Sequence, residues 1–348
     1  GASVTGESIP IGDVHSESGV VIIEGELFKK DSRTTKSDSK LVTLFVTDKR
    51  TSICIKSFVV NQKWDDINNC LNPGDGVKVK GQAQWDRFDN CTVIMADSIE
   101  KVEKKERVDT YPEKRVELHA HTKMSAMDGL NDVNQMIKTA EKWGHKAVAI
   151  TDHGVVQAFP DASHAGKDIK ILYGCEGYLL EDRDLINEDG SINYKGRGTN
   201  HVIIFAKNSQ GMRNLYKLVS LSHLNYFYKK PRIPKSVLTK YREGLIIGSA
   251  CEAGEIYRAV LKNESDEEIE RLVNFYDYLE IQPIVNNKFL IEAGTVKNED
   301  ELRENNKKIV ALGDKYGKPV VATCDSHYFD AEEALYRRII MAGQGFKD

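Results

Sequence analysis

No CxxC pair occurs among the six cysteines, Cys54, Cys70, Cys91, Cys175, Cys251 and Cys324, which leaves neither a disulfide framework nor a paired-thiolate metal site to organise the fold. No charged-then-apolar leader opens the chain and no apolar run approaches the ~20 residues of a membrane span, so the expectation is a cytoplasmic protein of the reducing cytosol with no membrane partner. Neither sign of charge dominates: the formal net charge is -4, and any nucleic-acid contact must come from a local basic surface. Gly1-Ala2-Ser3 reads as a cleavage scar, and residues 1–19 as a disordered or tag-derived lead.

What remains is 348 residues of ordinary hydrophobic content, enough for two or three domains. From Val20 to about Lys101 the pattern is β-branched with period two: Val20 to Phe28, Leu41 to Val46, Ser52 to Val59, Val77 to Trp85 and Cys91 to Ala96. A helix-like segment, Trp64 to Cys70, falls between the third and fourth strands, which is the order of an OB-fold barrel. The connection Lys29 to Lys40 reads as a basic, flexible loop. Arg33, Lys36, Lys40, Phe45, Lys56, Phe58, Trp85, Arg87 and Phe88 are the residues expected to hold single-stranded DNA, cations along the backbone and rings beneath the bases. Barrel strands need interior aromatics in any case, and a Lys/Ser loop is often only solvated. The predicted domain is 20–105, with a charged linker at 106–114 ending beyond Tyr111-Pro112.

From 115 to 348 apolar strands alternate with helical patterns, which predicts parallel β/α units: strands Arg115 to Leu118, Ala147 to Thr151, Lys170 to Gly174, His201 to Ala206, Gly244 to Ser249, Tyr278 to Gln282 and Pro319 to Thr323. Helices are expected at Asn131 to Trp143, Ser209 to Ser222, Glu267 to Phe275 and Asp300 to Tyr316, the last capped near Asn298. In such a barrel functional groups gather where strands end. His119 and His121 follow the first strand as His-x-His on an extended segment, where period-two alternation turns both imidazoles to one side. Asp128 and His153 follow, then Glu176, His201, Cys251, Asp325 and His327. A lone His or Asp at a strand end is most often a cap, but five of the nine histidines fall at these positions. Imidazoles with bridging carboxylates suit two or three divalent ions, Zn, Mn or Fe, which activate water and clamp phosphoryl oxygens. His15, His145, His164 and His223 carry no expected chemistry.

The ordered set His119-Ala-His121, Thr151-Asp-His153, Glu176, His201, Cys251 and Asp325-Ser-His327 resembles the polymerase and histidinol phosphatase (PHP) family, a distorted seven-stranded β/α barrel. The surrounding words, among them Trp143 to Gln157, Tyr226 to Lys235 and Tyr241 to Glu252, look like the PolC-type alpha subunits of bacterial DNA polymerase III, in which an OB domain precedes the PHP domain. The resemblance implies a replicative polymerase with primer-template DNA, the rest of the polymerase chain and the replisome as partners. It implies one ion on His119, His121, Glu176 and Asp325, a second on Glu176, His201 and Cys251, and a third on Asp128, His153 and His327. His121 and Asp325 would be the most essential, and Cys251 stands where many members have histidine. Two departures follow from the resemblance: only the short stretch Leu180 to Asn200 stands where an exonuclease domain is inserted, and the polymerase core is absent after Asp348, so the expectation is an amino-terminal fragment. Three functions are in play: a metal-dependent 3′-5′ exonuclease or phosphoesterase, a metal-stiffened scaffold without catalysis, and a small-molecule phosphatase of histidinol-phosphate type.

Overall fold

The computed structural model describes residues 3–35, 39–60, 65, 68–103, 107–182, 193, 195 and 198–345. Lys36, residues Trp64, Asp66 and Ile67 of the expected helix, and most of the stretch Leu180 to Asn200 lie outside the described residues. The chain divides into two compact units, Gly1–Val108 and Asp109–Asp348.

The first unit is a closed barrel of β1 (Val20–Thr34), β2 (Ser39–Thr47), β3 (Ser52–Val60), β4 (Gly76–Asp86) and β5 (Cys91–Val102), in the order β1-β2-β3-β5-β4. The single parallel pairing, β3 with β5, makes this the OB arrangement. Alternation fills it: Val42, Leu44 and Val46 of β2 and Ile53 and Ile55 of β3 point inward, while Phe45 and Phe58 face out. The expected loop Lys29 to Lys40 is largely strand, because β1 continues to Thr34 in register with β2 as far as Lys40. Most side chains of that extension are exposed, so no apolar alternation announces it in the sequence.

The second unit is built on β6 (Ala147–Ile150), β7 (Lys170–Leu180), β8 (Asn200–Ala206), β9 (Arg232–Pro234), β10 (Leu245–Gly248), β11 (Leu279–Ile281) and β12 (Val320–Ala322). Ladders join β6 to β7 to β8 to β10 and, separately, β11 to β12. Single bridges close the ring: Gly248 to Tyr278, Ala120 to Ser326 and Glu117 to Val148. The expected first strand is therefore a segment of isolated bridges, shared between β6 on one side and Ser326 on the other. The order of strands around the barrel matches the seven expected, with one correction of direction. β8 runs antiparallel to both β7 and β10, so this is not a uniformly parallel barrel. The strand words alone hold no information on direction, which follows from where the connections on either side return.

Helices cover the outside at Val133–Lys142, Ser209–Leu224, Asp266–Phe275 and Glu299–Tyr316, the last with Asn298 accepting from the Glu301 N–H at 3.1 Å as the cap. The short helices Phe159–Ala165 and Lys235–Lys240, and Glu255–Lys262 and Glu333–Gly343, were not anticipated. A cavity of about 910 Å³, lined by Tyr173, Phe205, Lys207, Ile246 and Tyr278 among others, opens where β7 begins and the reversed β8 ends, at the far end of the barrel from the strand-end histidines.

Gly248 lets the seam between β10 and β11 close, since a Cβ there would lie 2.1 Å from Cζ of Tyr278. Gly248→Ala is expected to destabilise this unit by about 1–3 kcal/mol through overpacking, read as a lowered melting temperature. An unchanged melting temperature would show that the ring of Tyr278 is not fixed against the strand.

Candidate metal centre

The reversal of β8 assembles the site. His201 stands near the start of β8, and only because that strand runs backwards does its start lie at the rim where β6 and β7 end. His119 and His121 come from the bridged segment, held by His121 N–H donating to Ser326 O at 2.9 Å and Thr151 N–H to Ala120 O at 3.0 Å. His153 follows β6, Glu176 lies within β7, Cys251 follows β10, and Asp325 and His327 follow β12.

All nine residues expected at this rim fall in one cluster. Glu176 is its middle: Oε1 accepts from His201 Nδ1 at 2.8 Å and lies 3.3 Å from His119 Nε2, while Oε2 lies 2.7 Å from His153 Nδ1 and 3.5 Å from His121 Nε2. Asp325 Oδ1 is 3.3 Å from His119 Nε2, 3.2 Å from His121 Nε2 and 3.4 Å from His327 Nδ1. Asp128 Oδ2 is 3.0 Å from His153 Nε2 and 3.4 Å from His327 Nε2, with its other oxygen taken by Arg337. Cys251 Sγ is 3.5 Å from His201 Nδ1 and 3.8 Å from Glu176 Oε1.

These residues fit divalent metal. His119 Nε2, His121 Nε2, His153 Nδ1, Glu176 Oε2 and Asp325 Oδ1 are buried atoms without a hydrogen-bond partner, crowded on one another in contacts that lack hydrogen-bond geometry. Buried polar atoms are otherwise almost always satisfied, and a shared cation is what this donor set would satisfy. Three triads of donor atoms are close enough to share an ion: His119, His121 and Glu176; His153, Glu176 and His201; and His121, His153 and His327. The first triad falls within one ion set that the family resemblance implies, and the other two cut across its grouping, since His153 Nδ1 lies 2.7 Å from Glu176 and its Nε2 3.0 Å from Asp128.

A second layer of residues aims the ligands. His119 Nδ1 donates to Glu280 Oε1 at 2.7 Å, and that oxygen also accepts from Thr323 Oγ1 at 2.6 Å and Gln282 Nε2 at 2.8 Å. His121 Nδ1 meets Ser125 Oγ at 2.9 Å, and Ser125 in turn donates to Asp152 Oδ1 at 2.7 Å. Both rings thereby present Nε2 to the cluster. Glu280, Ser125 and Asp152 were missed in the sequence, although Asp152 lies inside the Asp-His word and Glu280 is a lone carboxylate in the middle of β11. Left-handed backbone at Met127 (φ 63°), Ala250 (φ 58°) and Asp325 (φ 52°) marks the turns that carry Asp128, Cys251 and Asp325 inward, at a cost of about 1–3 kcal/mol each.

Burial and charge set the protonation. Burial pushes the His153 imidazolium down, but Glu176 and Asp128 outweigh it and raise the pKa to about 10. His119 is likewise raised well above its ordinary value, against burial, by Asp325, Glu280 and Glu176. His121 goes the other way, to about 3, through burial and the neighbouring His153 and His327. Glu176 is held well below the carboxylate range despite burial, by His201, His119 and His153. Burial, with Glu252 and Glu176, keeps the Cys251 thiol well above its ordinary pKa. Protons thus fill, in the metal-free cluster, the role a cation would take.

In the barrel of the first unit, Phe58 (63% exposed), Trp85 (52%) and Phe88 (90%) are open rings, with Arg33 and Arg87 exposed. Phe45 is half-buried under Lys29 Nζ, 5.1 Å from its ring centroid, and beside Phe28; Lys40 is half-buried in β2. Lys56 is a correction: it is 5% exposed, and its amine is held by Asp86 at 2.6 Å and by Asp89, so it pins the turn carrying Arg87 and Phe88 and is not available to a phosphate. Phe28 and Lys29 pack on Phe45, a contact not legible in the sequence, where they fall at the end of a strand and the start of an apparent loop.

The PHP domain family matches residues 117–292. The chain is 34% identical to a PolC-type DNA polymerase III of Clostridium perfringens, over 100% of this chain and 37% of that protein, and 30% identical to that of Caldanaerobacter subterraneus, over 100% and 38%. The Bacillus subtilis PolC-type enzyme is 28% identical over 95% of this chain and 37% of its own length. The chain therefore spans little more than a third of the curated relatives it matches. The alignment with the Clostridium protein occupies 539 positions against 348 residues, so 191 positions of that relative have no counterpart in this chain. A solved structure from Bifidobacterium adolescentis covers 65% of this chain and 95% of its own at 14% identity and a TM-score of 0.39.

The stability of metal-free protein is expected to depend on pH with a definite sign. The His153 contribution is complete below pH 6.5 and is lost as pH rises through about 10, so chelated protein should melt at falling temperatures across that window. Metal-loaded protein, in which no imidazolium is needed, should not follow it. Parallel melting curves with and without chelator would show that the cluster holds no metal.

Proposed function

Because the chain belongs to the PHP family and is matched along its whole length by PolC-type DNA polymerase III, we propose that it serves a replicative DNA polymerase, holding two or three divalent ions in its barrel and hydrolysing phosphoesters at DNA 3′ ends. The observation that carries this reading is the set of five buried, unpartnered donor atoms, from four separate stretches of chain, that converge at Glu176. His119, His121, Glu176 and Asp325 would hold ions at the bottom of the site, with His153, His201, Cys251, Asp128 and His327 around them. Bound divalent ions supply Lewis acidity toward water and neutralise charge building on phosphoryl oxygens.

The chain's own residues do the rest. Glu280 and the Ser125–Asp152 pair fix the two innermost imidazoles, so the donor set is assembled before substrate arrives. Arg337 neutralises the outer oxygen of Asp128 and leaves the inner one facing His153 and His327. The OB barrel fits a single strand laid over Phe58 toward Trp85 and Phe88, on the strand face and the loop between the fourth and fifth strands that this fold uses for oligonucleotides. We take the 191 unmatched positions of the Clostridium relative to be the expected inserted exonuclease domain, and the partners to be primer-template DNA and the rest of a polymerase assembly. Nothing in the site favours histidinol phosphate, which would gain nothing from an OB barrel. The second reading, a metal-stiffened scaffold, is favoured by one observation, the Cys251 thiol that burial resists ionising.

Manganese-loaded protein should trim a 3′-labelled, singly mismatched primer-template, and His121→Ala should reduce the rate to background. No trimming by either protein, with metal shown to be bound, selects the scaffold; equal trimming by both assigns the activity to a contaminant. Independently, Phe58→Ala and Phe88→Ala should each weaken binding of an oligothymidylate by about 1–3 kcal/mol if a base stacks there. Affinities unchanged in both would remove the OB barrel from DNA contact.

A further inference from the structure

One wall of the metal centre contains none of the expected ligands. It is the segment from His223 to Arg232, between the helix Ser209–Leu224 and β9, and it is tied to the cluster at several points. His223 Nε2 donates to Gly154 O at 2.9 Å, next to His153. Pro231 packs on the same residue, where a Cβ on Gly154 would lie 2.4 Å from Pro231 Cγ. Arg232 pairs with Tyr178 across β7 and β9, donates through Nε to Tyr226 O at 3.1 Å and stacks on Tyr228. Within this frame the turn Tyr228 to Lys230 is sharp, with Lys229 in the left-handed region (φ 62°).

The turn sets the Lys230 amine 4.4 Å from the centroid of the Tyr178 ring. Tyr178 in turn stacks on His153, centroids 5.9 Å apart, and meets His201 edge-on at 5.4 Å. Lys230 therefore stands one ring away from the metal ligands, and no carboxylate pairs with it among the described residues. Burial, and then the Arg258 charge, lowers its pKa, with Glu176 acting the other way. On the same segment Phe227 is 56% exposed, its ring stacked on His223 at 6.1 Å and 26°. An unpaired cation over an aromatic face beside a buried metal cluster, with an open ring three residues away, is the pairing that recognises a phosphate carrying a base.

We propose that Lys230 and Phe227 form a nucleotide-binding subsite of the metal centre, Lys230 holding the phosphate of the terminal nucleotide and Phe227 its base. Lys230 and Phe227 are positioning residues in this assignment, and it rests on the reading of the cluster as a phosphoester site. Lys230 would meet the substrate from the side of Tyr178, leaving the face over Glu176 and Asp325 to the scissile bond. The segment contributes specificity for nucleotides that a bare metal cluster lacks.

The test is binding of thymidine 5′-monophosphate and of inorganic phosphate to the full chain by calorimetry, chelated and manganese-loaded, beside turnover of thymidine 5′-(p-nitrophenyl phosphate). Lys230→Ala should weaken both ligands about tenfold and raise KM more than it lowers kcat, and Lys230→Arg should restore most of the loss. Phe227→Ala should weaken the nucleotide and leave phosphate unchanged. Binding by Lys230→Ala equal to that of the unaltered protein, or no nucleotide binding by the unaltered protein, overturns the subsite. Lys230-dependent binding without any turnover would instead uphold the subsite and count against hydrolysis.

Discussion

A carboxylate buried to 1% exposure cannot stand unpaired, and the second unit is arranged around that constraint at Glu176. Four imidazoles approach its two oxygens, from the bridged segment, the end of β6 and the start of β8. Removing its charge would leave His119 and His153 cationic with fewer counter-charges; removing the imidazoles would leave a bare anion in the barrel. The cluster is thus an interdependent set in which each group's protonation is fixed by the others, and divalent cations are the simplest way to satisfy all of its inward atoms together.

Topology serves that constraint. A β8 parallel to its neighbours would carry His201 to the opposite end of the barrel, beside the cavity lined by Phe205 and Tyr278. Reversal brings it to Glu176. The single bridges that close the barrel lie close to ligands too: one joins Ala120, between the two first-strand histidines, to Ser326, between Asp325 and His327; Glu117 of the second is two residues before His119, and Gly248 of the third three residues before Cys251. The places where the ladders thin to one bridge are where backbone must turn side chains inward, and two of the site's left-handed residues, Ala250 and Asp325, fall there.

The ligand words were legible in the sequence because each is short and ends an apolar run: His-x-His, Asp-His and Asp-x-His need only the strand beside them to be read. The order of barrel strands was legible for the same reason. The reversal of β8 was not, because direction depends on connections distant from the strand itself. Glu280 and Ser125 escaped because their partners are 161 and 4 residues away and only folding shows which is met. Lys56 looked like a DNA contact because an outward position on β3 says nothing of the two aspartates that a neighbouring turn folds over it. Lys230 and Phe227 were visible only as part of a family word, with no chemistry attached, since their role comes from Tyr178 on another strand.

Whether Glu176 organises a multinuclear metal centre can be read by elemental mass spectrometry of gel-filtered protein. After incubation with zinc or manganese, the unaltered chain should retain two or three ions and Glu176→Gln less than one. A metal-free unaltered protein, or equal retention by the two, would contradict the account.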